Sequence, residues 1–291
     1  MSILLDGETR VIVQGVTGRE GSFHARLMRE YGTRIVGGVT PGKGGQVHDG
    51  LPVYDTVAEA RQATGAEASI TFVPKSAAVD SVVEAIRAGL RLVVCTTDGI
   101  PVHDMLLVRA MAREAGCTLI GPNCPGLIAP GKSKLGFMPS HVYSPGPIGV
   151  MAKSGSLSYD VAYELTRAGL GQSTVVGIGG DPVKGCSFPD LLPLFADDSE
   201  TRAIVLLGEI GGTDEERAAA WLERNRPRKP VIAYLVGRTA PPFVKMGHPA
   251  TLFVRNGRSY AEKVECLRAA GAAMASSPWD VVACVQSVMG R

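Results

Sequence analysis

The chain has 291 residues, 45% of them hydrophobic and 20% charged, with a formal net charge of +2. That length exceeds the roughly 100–200 residues of one typical domain, so two domains with ample apolar cores are expected. A near-neutral balance with no basic–aromatic stripe argues against a nucleic-acid partner, no run of about 18 apolar residues offers a membrane span, and an N-terminus carrying Asp6 and Glu8 is not a secretory signal.

Apolar runs at Arg10–Gly15, Thr33–Val39, Ala68–Pro74, Arg91–Thr96 and Thr118–Gly121 read as strands. Helical patterns separate them, the clearest being the one-sided stripe Val79, Val82, Val83, Ile86 and Leu90. Short apolar strands alternating with helices predict a parallel sheet covered on both faces. Residues 1–126 are therefore expected to form a Rossmann-like domain. Residues 127–147 hold Pro130-Gly131-Lys132-Ser133 and Ser144-Pro145-Gly146-Pro147 and read as a Pro/Gly-rich linker. Residues 148–291 resume the alternation. Strands are expected at Ile148–Ala152, Ser173–Ile178, Ala203–Gly208 and Pro230–Val236, and helices at Leu157–Ala168, Asp214–Asn225 and Tyr260–Ala270. A last helix has its start written out: Ser277 as cap, Pro278 in the first turn, Asp280 at the positive end. The whole is an α/β chain with two doubly wound domains, the second of flavodoxin-like type.

The six cysteines form no C-x-x-C pair, and their spacing suits neither zinc nor a disulfide framework. Reduced thiols in a cytoplasm-like compartment are expected, with no metal site. Cys124, in a Gly/Pro loop, is a candidate nucleophile by position, but it has no His in an evident paired context, and free Cys commonly serves as a small apolar residue.

Candidate chemistry lies at the strand ends, where open α/β sheets bind ligands. The first strand runs into Gly15-Val16-Thr17-Gly18-Arg19-Glu20-Gly21. Its glycines would let backbone N–H groups approach a phosphate at a helix N-terminus. The spacing is G-x-x-G-x-x-G, not the G-x-G-x-x-G of dinucleotide sites, and the second strand does not end in the acidic residue that would hold a ribose hydroxyl. It ends in Thr40-Pro41-Gly42-Lys43-Gly44-Gly45, which offers a cation to a nucleotide carrying an extra phosphate, as coenzyme A does. A bland reading, in which the glycines only make tight turns, accounts poorly for two such loops on successive strands. Thr96-Thr97-Asp98 and Gly121-Pro122-Asn123-Cys124 end two further strands.

In the second half, Lys153-Ser154-Gly155-Ser156 follows a strand and opens a helix, where free N–H groups could receive an anion or the serines could simply cap. Of five histidines, His248 has the most suggestive setting, a loop after a strand with Gly247 before it. Histidine is the side chain suited to act as a neutral nucleophile near pH 7, and Glu209, at another strand end, could orient its ring.

The strings Gly37–Gly45, GPNCPG (121–126), GIGGDP (177–182), GEIGG (208–212) and MGH (246–248) together resemble the alpha subunit of succinate–CoA ligase, a superfamily that includes malate–CoA ligase-type relatives. The resemblance runs from Met1 to about Met289. It implies an NTP-dependent carboxylate–CoA ligase, ADP- or GDP-forming. An ATP-grasp beta subunit would bind ATP or GTP with Mg²⁺, in a heterodimer or heterotetramer. It implies His248 as phosphohistidine and Glu209 as its supporting carboxylate. Thr17, Gly18, Arg19, Glu20, Lys43, Thr96, Thr97 and Asp98 match CoA-contacting positions. Tyr159 matches the position beside a small dicarboxylate substrate, and Ser154, Gly155 and Ser156 the phosphate-receiving helix end. The chain departs from the pattern where the family usually reads Ala-Gly-Ala-Ile after the histidine: here it reads Pro249-Ala250-Thr251-Leu252, and Pro249 fixes φ and removes a donor. It also has Lys153 where Arg is usual and Ser156 where Thr is usual. Malate–CoA ligase and a non-catalytic CoA-binding paralogue are the alternatives to a succinate enzyme, and an NAD-linked oxidoreductase is opposed by the glycine spacing.

Overall fold

A computed structural model describes residues 2–241 and 258–290. They form two compact units. One comprises Leu4–Met138 with Val183–Cys186; the other comprises Pro139–Pro182 and the described residues from Ser187 onward, with Ser2 and Ile3.

The first unit begins with β1 (Val11–Gln14), α1 (Arg19–Tyr31) and β2 (Ile35–Val39). β3 (Val47–His48) and β4 (Leu51–Tyr54) follow as a short antiparallel pair, then α2 (Val57–Thr64) and β5 (Ala68–Thr71). α3 (Lys75–Arg87), β6 (Leu92–Cys95), α4 (Val102–Glu114) and β7 (Thr118–Ile120) complete a sheet of order β3-β4-β2-β1-β5-β6-β7. The main strands are parallel. From β1 the chain moves to one side through α1, then returns past β1 and moves to the other side through α2, α3 and α4. Right-handed crossovers therefore place α1 on one face and the other three helices on the opposite face. The core agrees: Val57, Ala60, Ala78, Val82, Met105 and Val108 of those three helices pack with Ile12, Val39, Val93 and Cys95 of the sheet. The strand order reverses between β1 and β5, and that is where a crevice opens at the strand ends.

The segment expected as a linker is built structure. β8 (Gly126–Ala129) and β9 (Ser133–Gly136) pair antiparallel, with Gly131 (φ 76°) in the turn between them. Leu127, Ile128, Ala129 and Leu135 are fully buried. Thr33, just past α1, donates its hydroxyl to the Lys134 carbonyl (2.7 Å) and accepts from the Lys134 N–H (3.0 Å).

In the second unit β10 (Pro145–Ala152) leads to α5 (Gly155–Arg167) and β11 (Gln172–Gly177). α6 (Phe188–Asp197), β12 (Ala203–Glu209), α7 (Asp214–Asn225) and β13 (Val231–Val236) follow. α8 (Tyr260–Ala269), β14 (Ala273–Met274) and α9 (Asp280–Met289) end the fold. The parallel strands run in the order β14-β13-β12-β10-β11. The reversal falls between β10 and β12, so the loops after these two strands flank the second unit's crevice. α9 starts at Asp280, whose N–H donates to Ser277 Oγ (3.2 Å), while its carboxylate accepts from the Ser276 N–H (2.8 Å).

The turn between β1 and α1 requires two glycines. Gly15 has φ 80°, and a Cβ on Gly21 would stand 2.1 Å from the Gly15 carbonyl oxygen. The neighbour is backbone and has no room to give. Gly21→Ala is expected to lower stability by about 1–3 kcal/mol, the range for forcing extra volume into a packed site. Chemical denaturation of the variant against the parent measures this.

Candidate functional site

In the first unit the strand ends gather most of the expected residues. Gly18 caps α1 in extended conformation (φ −76°, ψ 159°) without a side-chain cap, and the first-turn N–H groups have no acceptor within the helix. Lys43 reaches back over this turn: its Nζ donates to Thr17 Oγ1 at 3.1 Å, and Thr17 Oγ1 donates to Thr40 Oγ1 at 3.2 Å. The loop that carries Lys43 is held at Gly44, whose N–H donates to Asp55 Oδ1 (2.8 Å). Arg19 is 95% exposed and lies 3.3 Å from Glu20, a contact that water screens heavily. Thr96 and Thr97 donate to the carbonyls of Thr71 (2.7 Å) and Val73 (3.2 Å), so their hydroxyls knit adjacent strand ends together. Asp98 is exposed beyond them. The sequence reading did not single out Lys75. It opens α3 on the same rim, its Nζ 3.0 Å from where a Cβ on Gly99 would stand. The Pro74-Lys75 pair, separated from the end of β5 by two residues, is the signal that could have found it.

Cys124 is buried, and its thiol donates to the Cys95 carbonyl at 3.2 Å. It is a packed thiol, which fits the apolar reading of this residue. Cys117, also buried, has its thiol pushed up to about 11 by desolvation. None of the six cysteines forms a disulfide.

In the second unit Ser154 precedes α5 without capping it by its side chain, and Ser154 Oγ and Ser156 Oγ lie 3.4 Å apart. The N–H groups of Gly155 and Ser156 thus point out of the helix end, uncapped by that side chain. Tyr159 follows one turn on, half-buried. Glu209 ends β12 and is buried. His248 lies outside the described residues, as does Pro249. The structure thus places Glu209 beside the α5 helix end through the neighbouring strands β10 and β12, with Lys153 N–H donating to the Leu207 carbonyl (3.2 Å).

Beneath these loops lies a charge cluster that the sequence reading missed. Glu215 has no exposed side-chain surface. Its Oε1 lies 2.7 Å from Lys153 Nζ and accepts from the Glu209 N–H at 3.1 Å; its Oε2 lies 2.6 Å from Lys263 Nζ. Asp214 lies 3.8 Å from Lys153, and Glu216 lies 3.3 Å from Lys263. The signal was helical phase. Glu215 shares a face with buried Ala218, Ala219 and Leu222, and Lys263 with buried Leu267. For Lys153, burial works to lower the pKa, but Glu215, Asp214 and, farther off, Glu209 outweigh it and hold the ammonium above the ordinary lysine range. For Glu215, burial works to raise the pKa, and Lys153 and Lys263 outweigh it, so the carboxyl stays below its ordinary range. Among the described residues no group of three or more His, Cys, Asp or Glu could hold a metal ion, and no helix is long and apolar enough to cross a membrane.

These shifts fix the sign of a pH dependence. A depressed carboxylate stabilises the fold above its unfolded pKa of about 4.3, and loses that contribution as pH falls through its folded value. A raised lysine stabilises below about 10.4 and loses its contribution as pH rises through its folded value. The stability gap between the parent and Glu215→Gln is therefore expected to be widest near neutrality and to shrink below about pH 4. Thermal unfolding of both proteins across that range checks it.

Residues 6–99 match the CoA binding domain family, and residues 151–273 the CoA-ligase family. The chain is 51% identical to the ADP-forming succinate–CoA ligase alpha subunit 2 of Archaeoglobus fulgidus, over 99% of this chain and 100% of that one. It is 49% identical to the succinate–CoA ligase alpha subunit of Aquifex aeolicus (99% of this chain, 95% of that one). It is also 49% identical to the malate–CoA ligase alpha subunit of Methylorubrum extorquens (100% and 99%). Among solved structures, an ATP citrate lyase of Methanosaeta concilii in complex with (3S)-citryl-CoA shares the fold with a TM-score of 0.90 at 24% identity, over 99% of this chain. This chain spans about half (50%) of that lyase's length. With both halves matched and identity near one half along its whole length, the chain belongs to the family of CoA-ligase alpha subunits that includes the succinate and malate enzymes.

Proposed function

We propose that this chain is the alpha subunit of a carboxylate–CoA ligase that interconverts succinate, CoA and a nucleoside triphosphate with succinyl-CoA, nucleoside diphosphate and phosphate. The observation that carries the reading is the full-length match to succinate–CoA ligase alpha subunits, with the family's CoA-binding and ligase halves both present. An alpha subunit implies a beta partner; an ATP-grasp partner binding ATP or GTP with Mg²⁺, in a heterodimer or heterotetramer within the cytoplasm, completes the proposal.

The first unit's residues fit coenzyme A. The glycine turn leaves the α1 helix end open to a phosphate, and Lys43 stands over it as an exposed cation whose Nζ donates to Thr17. Thr17, Gly18, Arg19 and Glu20 would line the turn, and Thr96, Thr97 and Asp98 the neighbouring strand end. CoA supplies the thiol that becomes the thioester. In the second unit His248 is the proposed nucleophile, Glu209 the acceptor that orients its ring, and the N–H groups at Ser154, Gly155 and Ser156 the phosphate cradle. A phosphate there gains hydrogen bonds and a dipole contribution of roughly 0.3–1 kcal/mol. Lys153, kept charged beside that cradle, adds a fixed positive charge. Tyr159 is the proposed contact for the dicarboxylate. Malate is the second reading, favoured by the 49% identity to the malate enzyme's alpha subunit; a panel of dicarboxylates with the paired subunits separates the two.

Lys43→Ala is expected to weaken CoA binding about tenfold, the scale of a lost charged hydrogen bond, and to leave the melting temperature unchanged. Calorimetric titration checks this, and unchanged affinity removes Lys43 from the site. NAD is expected not to compete.

With ATP, Mg²⁺ and the beta partner, the chain is expected to acquire one acid-labile phosphoryl group, on His248. His248→Asn is expected to abolish it while leaving CoA binding intact. Mass-spectrometric mapping decides: a phosphoryl group on another residue, or ligation without one, overturns the assignment. A chain that binds CoA and is never phosphorylated would be the non-catalytic paralogue.

A further inference from the structure

Glu215 makes contacts that no helix-capping role requires. It stands in the first turn of α7, yet its carboxylate ties three other elements together. Oε1 meets Lys153 at the end of β10 and the N–H of Glu209 at the end of β12; Oε2 meets Lys263 of α8. The approach to β12 is open because residue 208 is glycine: a Cβ there would stand 2.7 Å from Glu215 Oε1.

Lys263 continues the chain of contacts. Its Nζ donates to the carbonyls of Gly211 and Gly212 at 2.9 and 3.0 Å. These two residues, with φ of 82° and 61°, form the turn that leaves β12 just after Glu209 and Ile210. The Glu209 segment is thus held on one side by its amide on Glu215 and on the other by two carbonyls on Lys263. The same carboxylate holds Lys153, the residue immediately before the Ser154–Ser156 helix end.

Fold stability alone is a weak reason for such a cluster. Buried ion pairs are often no more stabilising than apolar side chains of the same volume, because both charges lose their water. Fixed geometry is a better one. A carboxylate that must orient an imidazole, and an ammonium that must face a phosphate, each lose effect when displaced by about an ångström.

We propose that Glu215 and Lys263 are positioning residues of phosphoryl transfer, acting through Glu209 and Lys153. Glu215 sets where Lys153 sits and keeps it an ammonium, aided by Asp214 of α7 and Glu209 of β12, with the Phe188 ring of α6 5.8 Å from the nitrogen. Lys263, flanked by Glu216, sets the turn that aims Glu209. The proposal rests on the phosphohistidine reading above.

The test uses the alpha chain co-purified with its beta partner, as parent, Glu215→Gln, Lys263→Met and Lys263→Arg. Single-turnover phosphorylation by ATP, KM for CoA and the pH profile of phosphorylation are measured. Glu215→Gln and Lys263→Met are expected to slow phosphorylation roughly 10²-fold with KM for CoA unchanged, and Lys263→Arg to recover part of the rate. In Glu215→Gln the alkaline limb of the profile is expected at lower pH, because burial then acts on Lys153 with one counter-charge fewer. A merely structural role would lower stability without moving that limb. Parental rates in both Glu215→Gln and Lys263→Met, or an unmoved limb with a slowed rate, overturn the proposal. Should Glu215→Gln fail to fold, the split between rate and KM in Lys263→Met and its rescue by Lys263→Arg decide by themselves. A parent complex that is never phosphorylated overturns the phosphohistidine reading and this proposal together; a phosphorylated parent with unaffected variants overturns this proposal alone.

Discussion

Glu215 carries a negative charge that water does not reach, and the second unit is arranged around meeting it. An isolated buried carboxylate would cost several kcal/mol and would take up a proton instead. Two lysines and a backbone N–H prevent that. Each of those partners comes from a different element, so satisfying one charge also fixes the ends of β10 and β12 and the position of α8. The strand reversal between β10 and β12 makes a crevice; the buried charge cluster determines how its walls are furnished.

The first unit solves a related problem with no charge at all. Its crevice, at the reversal between β1 and β5, depends on backbone approaching backbone. Gly21 lies against the Gly15 carbonyl so closely that no side chain fits, and this closeness leaves the α1 helix end bare. A bare helix end attracts anions through unpaired N–H groups and the helix dipole. The cation comes from elsewhere, on the Lys43 loop, where it adds charge without occupying the turn. The two units thus shape the helix ends proposed to receive anions by different means.

Much of this was legible in the sequence because parallel strands buried on both faces read as unbroken apolar runs. β1, β2, β5, β6, β7 and β13 fall within the expected stretches; β11 and β12 overrun theirs by one residue, and β10 begins at Pro145, inside the stretch expected as a linker. The glycine loops at their ends pointed to the rims. What was missed had a physical disguise. Pro130 and Gly131 suggested a linker, yet they make the turn of the buried β8–β9 hairpin. β3 and β4 are short, and a proline inside the second, Pro52, argues against a strand in the sequence. Glu215 and Lys263 were passed over because charged residues on helices are normally solvated, and only their phase with Ala218, Leu222 and Leu267 betrays them. Thr96 and Thr97, matched to ligand contacts by resemblance, direct their hydroxyls into neighbouring strand ends, a geometry that no motif encodes. His248 was read from its loop setting and its motif, and it lies outside the described residues.

The packing of the cysteines has a consequence for a protein read as handling a thiol substrate. A coenzyme thiol, or its disulfide, meets protein cysteines by exchange, and exchange requires an accessible thiolate. Cys124 belongs to a strand-end loop of the first unit, where such a substrate is proposed to bind, yet its sulfur is turned inward onto the Cys95 carbonyl. Cys117, its thiol pushed up to about 11 by burial, keeps its proton at neutral pH. Burial therefore makes the first unit chemically silent toward the sulfur it is read as binding. Mixed-disulfide formation is left to the other unit, where Cys266 and Cys284 are partly exposed; of the two, Cys284 is the less reactive, because burial and the neighbouring Asp280 push its thiol up.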